Sequence, residues 1–222
     1  MQSSKEIHDD HITQLRATAE TARQSLADTD RARERALRLS REMIRHCADS
    51  IRAIHRGEFE TARGLISNAA ALVDESGALL QEHPEVYFTG YMQDALKEYV
   101  EANAVLAFIQ SRPLPTPEDL QVGAAPYLGG LADTVGELRR HILDKLRHDD
   151  FDGCERALAL MDEIYTILVT MDFPDAVTRG LRRSTDMVRG VLERTRGDLT
   201  VALRQQRLEA MLSAADADRV DG

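Results

Sequence analysis

Between Ile12 and Ile54 the apolar residues Ile12, Leu15, Ala19, Ala22, Leu26, Leu37, Ile44, Cys47, Ile51 and Ile54 recur mainly at steps of three, four and seven. That period puts them on one face of a helix. The predicted helix covers about 8–55 and stops near Gly57. At ~1.5 Å per residue it spans roughly 70 Å, more than a compact monomer needs. Part of it is therefore expected to pack on another subunit, or to bend. A second helix, 59–80, carries Leu65, Ile66, Ala69, Leu72, Val73 and Leu80. Pro84 opens a third, 85–112, with the seam Phe88, Met92, Ala95, Tyr99, Ala102, Leu106 and Ile109. SRPLPTPEDLQVGAAP (111–126) holds four of the six prolines and reads as a loop with one helical turn at 117–120. Helices over about 127–147, 150–171, 175–196 and 198–215 follow. No β-alternation or internal repeat appears. The pattern predicts an all-α, seven-helix bundle with a long N-terminal helix. It forms a single domain over 1–222, with residues 1–7 and 216–222 frayed.

Composition agrees. The 222 residues are 43% hydrophobic and 30% charged, enough for a sizeable core in a water-facing chain. Six Pro and 13 Gly are too few for a collagenous or turn-rich β protein. No apolar run is long enough to span a membrane, and no signal peptide is evident, so no membrane partner and a cytoplasmic location are expected. Cys47 and Cys154 lie far apart in sequence with no CxxC spacing, and both are expected to be small core residues.

Net charge is −10, with Lys only at positions 5, 97 and 145. The positive charge is local. Residues 31–63 hold nine Arg against five acids, and residues 177–209 hold eight against four. Arg35, Arg38, Arg41 and Arg45 repeat on about one helical face and are the candidate phosphate-binding residues. A salt-bridged surface accounts for them equally simply. With no Trp, five Tyr and five Phe, base-stacking platforms are few. Tyr87 and Tyr91 fit core packing better.

The carboxylates suggest chemistry. Asp94, Glu98 and Glu101 follow one face of the third helix at spacings of four and three. Like charges so placed repel. Lys97 can reach Glu101, but Glu98 has no cation at helical spacing, so a divalent ion or an Arg from another helix should compensate it. Asp133 and Glu137 share a face of the next helix, with Gly136 between them to admit a neighbour or ligand. Pairing of Glu137 with Arg140 or His141 is the plain alternative. If the two helices pack antiparallel, four carboxylates converge at mid-bundle. Such an oxygen set suits Mg²⁺ or Mn²⁺. No ExxH pair is present, which argues against a ferritin-like di-iron bundle.

LKEYVEANAVLAFIQSR (96–112) and YLGGLADTVGELRR (127–140) resemble the translin superfamily, and within it the translin-associated factor X (TRAX) branch with its archaeal homologues. RALRLSREMIRHCADSIRAIHR (35–56), MDEIYTIL (161–168) and the region 174–197 extend the likeness over nearly the whole chain. The resemblance implies a seven-helix bundle in a hollow octamer and a Mg²⁺-dependent endoribonuclease site. The branch's EYVE motif matches Glu98 and Glu101, and its DLTGEL motif matches Asp133 and Glu137, here ADTVGEL. It therefore implies Glu98, Glu101, Asp133 and Glu137 as catalytic metal ligands, with Asp94 in support. One departure stands out: Pro126 occupies a place where the family often has an acid. His141 is expected to be a surface histidine. The expected partners are single-stranded RNA, or single-stranded DNA, and further copies of the chain as a homo-octamer. No cofactor besides Mg²⁺ or Mn²⁺ is expected. The alternative is a translin-like protein that binds single strands without cutting them.

Overall fold

The helical period of the apolar positions is realised throughout. The computed structural model describes the backbone of residues 2–220 and the surroundings of side chains 9–213. Among the described residues there are eight helices and no strand: α1 (Gln2–His55), α2 (Phe59–Glu82), α3 (Pro84–Tyr87), α4 (Gly90–Ile109), α5 (Ala124–Leu146), α6 (Phe151–Val169), α7 (Asp175–Thr178) and α8 (Leu181–Val220). Helical backbone continues into the segments 2–7 and 216–220, where fraying was expected; Met1, Asp221 and Gly222 lie outside the described residues.

The count differs from the expected seven for two local reasons. The predicted third helix is broken at Phe88–Thr89. Thr89 is extended (φ −66°, ψ 155°), its hydroxyl donates to Val86 O, and the Gln93 amide donates to Tyr87 O. Side chains thus satisfy the carbonyls that the break exposes. The predicted helix 175–196 is broken at Arg179 and Gly180, two consecutive residues with positive φ (53° and 87°). Beyond it, no break occurs at Gly197. Its Cβ position faces open space, and the buried seam Val188, Leu192, Thr195, Leu199 continues through it. A mid-helix glycine costs about 1 kcal/mol relative to Ala, too little to stop a helix that has a core to cover.

Two cores result. α1, α2, α3 and α4 bury Leu39, Met43, Cys47, Leu79, Met92, Leu96 and Val105. α5, α6 and α8 bury Val135, Leu138, Ile142, Met161, Val188 and Leu199. The α4–α5 seam joins them. Both cysteines are buried free thiols, as expected.

α4 and α5 run parallel, not antiparallel. Gly90 and Gln93 lie beside Ala125 and Pro126, Lys97 lies against Gly129, and Phe108 lies beside Leu138 and His141. The proline-rich segment therefore carries the chain back along the full length of α4. One turn inside it is held by reciprocal Thr116–Asp119 bonds, and Tyr127 donates to Pro115 O to pin it.

The long helices overrun the bundle. Leu15 and Leu26 on α1 are about 70% exposed, and Val201, Leu208, Met211 and Leu212 on α8 are exposed as well. Because α1, α4, α5 and α8 share one direction, the two arms project from opposite ends.

Candidate metal centre

At the α4–α5 seam the glycines of α5 let the two backbones meet. A Cβ on Gly130 would stand 2.6 Å from Lys97 O and 2.6 Å from Val100 Cβ, so only glycine fits. Gly136, the residue expected to admit a neighbour, faces open space instead. The close approach sets Glu98 and Glu101 of α4 opposite Asp133 and Glu137 of α5, with α1 closing the third side.

Glu101 is 8% exposed and makes no hydrogen bond or ion pair with the described residues. Burial, and then the neighbouring Glu98, Asp133 and Glu137, push its carboxyl from the ordinary 4.5 to about 8; Lys97 offsets this in part. Glu98 is half-buried and raised too, by burial first and then by Asp133, Asp94 and Glu137. Glu137 moves the other way. His55 Nε2–H donates to Glu137 Oε2 at 2.5 Å, and this bond holds the carboxyl low against burial. Arg140 assists from 3.8 Å.

Lys97 does not turn to Glu101. Its ammonium reaches across the seam to Asp133 Oδ2 at 2.7 Å. Burial works against that charge, yet Asp133, with Asp94 and Glu98, holds its pKa above normal. Asp94 is exposed at the rim.

The four expected carboxylates are thus brought to one seam and sense one another's charge. They have not collapsed into a chelate: among the described residues no three His, Cys, Asp or Glu side chains form a ready ion cage. Lys97 holds an oxygen of Asp133 and His55 an oxygen of Glu137. The donor set nonetheless fits a hard divalent cation. It is all oxygen, its carboxylates outnumber the nearby cations, and Glu101, only 8% exposed, has no hydrogen bond from the described residues.

His55 was missed from sequence. It ends α1, and only the packing of α1 and α5 on α4 brings its buried ring to Glu137. His141 is half-buried rather than a surface residue; it borders cavities with Lys145 and takes no bond from Glu137. Of the four arginines, Arg38, Arg41 and Arg45 share an open groove of about 480 Å³ with Glu34 and Glu42. Arg35 turns to Glu75 at 3.2 Å, and Arg38 lies 3.5 Å from the same carboxylate. Tyr87 is core, packed edge-on against Phe88, as expected.

No family model matches the chain. The chain is 34% identical over 192 residues to the uncharacterized protein MJ0175 of Methanocaldococcus jannaschii, covering 84% of this chain and 83% of that protein. Among solved structures, AfC3PO in a duplex RNA complex is 39% identical, with a TM-score of 0.78 over 85% of this chain and 97% of that one. A crystal structure of AfC3PO alone is 40% identical with a TM-score of 0.77, over 85% and 98% of the two chains. Both are C3PO/translin-family proteins. The chain belongs to the translin superfamily. Apo-NeC3PO, 20% identical over 82% of this chain and 96% of that one, has a TM-score of 0.75 and shares the fold. In this translin-superfamily chain the helices most similar in pattern to the family motifs, α4 and α5, are the two that carry the carboxylates.

Proposed function

We propose that this chain is a metal-dependent endoribonuclease of the TRAX type, cutting single-stranded RNA inside a homo-octameric shell. The observation that carries the reading is Glu101: a largely buried carboxylate with no hydrogen bond from the described residues, set among three more. Binding a polyanion gives no reason to gather anions, whereas cutting one with a divalent ion does. Mg²⁺ or Mn²⁺ held by Glu98, Glu101, Asp133 and Glu137 supplies a more acidic bound water and stabilises charge at the phosphate. The chain's own residues prepare that site. His55 fixes the orientation of Glu137 and keeps it ionised. Lys97 balances Asp133 until a cation takes over the charge. Arg38, Arg41 and Arg45, earlier on α1, offer a basic groove for the strand. The exposed apolar arms of α1 and α8 supply the faces that subunits bury on one another.

The neighbour AfC3PO was solved with duplex RNA, so duplex RNA belongs in the same assay. A second reading, binding without cutting, draws on the Lys97–Asp133 ion pair, which gives the acidic seam a counter-ion of its own. Labelled single-stranded and duplex RNA, incubated with Mg²⁺, Mn²⁺ or EDTA, separate the two. The nuclease predicts metal-dependent cutting of single strands that Asp133→Asn abolishes. Binding without cutting in either metal would establish the second reading instead.

A further inference from the structure

Three helices begin at one small cavity that Lys97 lines, toward the start of α4 from Glu98 and Glu101. Gly90, Ala125 and Leu181, in the first turns of α4, α5 and α8, line it. The hydrogen-bonded ladders start one turn later, at Gln93, Tyr127 and Ser184. The first-turn amides of the three helices thus have no backbone acceptor, and α4 and α5 have no side-chain cap. Three parallel helix dipoles point their positive ends at this place.

Arg179 adds a second, independent contribution of the same sign, whereas Lys97, its ammonium on Asp133, contributes its stem. Lys97 forms one wall, its stem lying against Gly129. Arg179 forms another. Its backbone is left-handed (φ 53°), and its guanidinium donates to Phe88 O at 3.0 Å without meeting a carboxylate. Ser184, partly exposed, lines the cavity as well. Asp94 is the one acid on the lining, and Pro126 brings no charge. The volume is about 220 Å³, below the ~300–1,000 Å³ of usual ligand pockets. It suits one small oxyanion, not a nucleoside.

We propose that this cavity is a phosphate subsite: it takes a phosphate of the RNA strand beside the phosphodiester that lies at the carboxylates. This rests on the nuclease reading for its placement along the strand. Lys97 is the shared wall, with its ammonium on Asp133 and its stem facing the cavity.

The test measures anisotropy of a labelled single-stranded RNA in EDTA, where no cutting occurs, with 5′-hydroxyl and 5′-phosphate forms and across a salt series. Arg179→Gln should weaken binding about tenfold, as the loss of one charge-assisted contact. It should also flatten the log–log salt dependence by about 0.7, the share of one phosphate on a single strand. Arg112→Gln, the same charge change at the far end of α4, is the control and should leave the slope less affected. Ser184→Asp guards against a folding artefact, since an acid in a first helical turn suits the helix yet places a negative charge in the cavity. It should weaken binding at least as much. A 5′-phosphate preference that Arg179→Gln removes identifies a terminal phosphate as the occupant; equal effects on both forms identify an internal one. Unchanged affinity and slope in folded Arg179→Gln and Ser184→Asp overturn the subsite. RNA bound through Arg179 but never cut in Mg²⁺ would remove the nuclease and leave the subsite. Cutting with the same KM in wild type and Arg179→Gln would do the reverse.

Discussion

Glu101→Gln should stabilise the metal-free chain, and increasingly so as pH rises. A carboxyl raised from 4.5 to about 8 binds its proton more tightly in the folded chain. At about 1.36 kcal/mol per pKa unit this difference approaches ~5 kcal/mol. The sign follows from linkage. The folded pKa lies above the unfolded one, so stability from this group is complete below pH 4.5 and is lost progressively up to about pH 8. Glutamine keeps the shape and lacks the charge, so the variant escapes that loss. With Lys97 free to relax toward the cluster, the expected gain is near zero at pH 4.5 and roughly 2–4 kcal/mol by pH 8.5. Glu137 titrates in the opposite sense: its stability is present at high pH and lost as pH falls through its lowered pKa. It is common to both proteins, so the difference curve isolates Glu101. The assay is urea unfolding in EDTA at fixed protein concentration, because assembly would otherwise enter the result. Adding Mg²⁺ in excess should stabilise wild type more than the variant. Parallel pH profiles for the two proteins would refute the reasoning, since Glu101 would then titrate as a solvated acid.

Three further outcomes follow from the geometry. Gly130→Ala should destabilise by about 1–3 kcal/mol through overpacking against Lys97 O and Val100, whereas Gly136→Ala should stabilise by roughly 0.5–1 kcal/mol; thermal unfolding of both variants checks the contrast. His55→Ala should lose about 1–3 kcal/mol and raise the Glu137 pKa, because a buried carboxylate loses its donor; carboxyl-resolved NMR titration reads the shift, and an unmoved Glu137 would dismiss the bond. Light scattering should give a mass near eight times the 24.8 kDa chain, reduced when Leu26 and Leu208 are both changed to Glu; a wild-type mass of one chain would discard the assembly.

What the sequence reveals is what a one-dimensional period can encode. The helical face of α1, the proline-rich crossing and the two pairs of carboxylates all show as spacings, and the structure brings those carboxylates to one seam. Direction and proximity do not show. Nothing in ADTVGEL says whether α5 runs with α4 or against it; that depends on how far 111–126 travels. Gly136 attracts notice because it lies inside the motif, yet the backbone contact falls at Gly130, one and a half turns earlier. Gly197 resembles a stop signal, but Leu199 has a core to cover and the helix continues. His55 carries no local mark at all. Its partner is 82 residues away in sequence, so only the packing of α1 and α5 on α4 reveals it. The break at Phe88–Thr89 had a usable signal, the hydroxyl residue Thr89 followed by Gly90, which the strong seam through Phe88 outweighed.

The parallel run of α4, α5 and α8 has consequences for charge as well as shape. It gathers three helix N-termini at one end, and the carboxylates lie along the seam a turn or more inside it. Moving inward from that end, the field passes from the helix ends and Arg179, across Lys97, to Asp133, Glu98 and Glu101. In the observed arrangement an anionic strand meets positive charge first and acid second. That order is what a site needs if it is to draw a phosphate chain toward carboxylates that would otherwise repel it, and Lys97 stands where the sign changes.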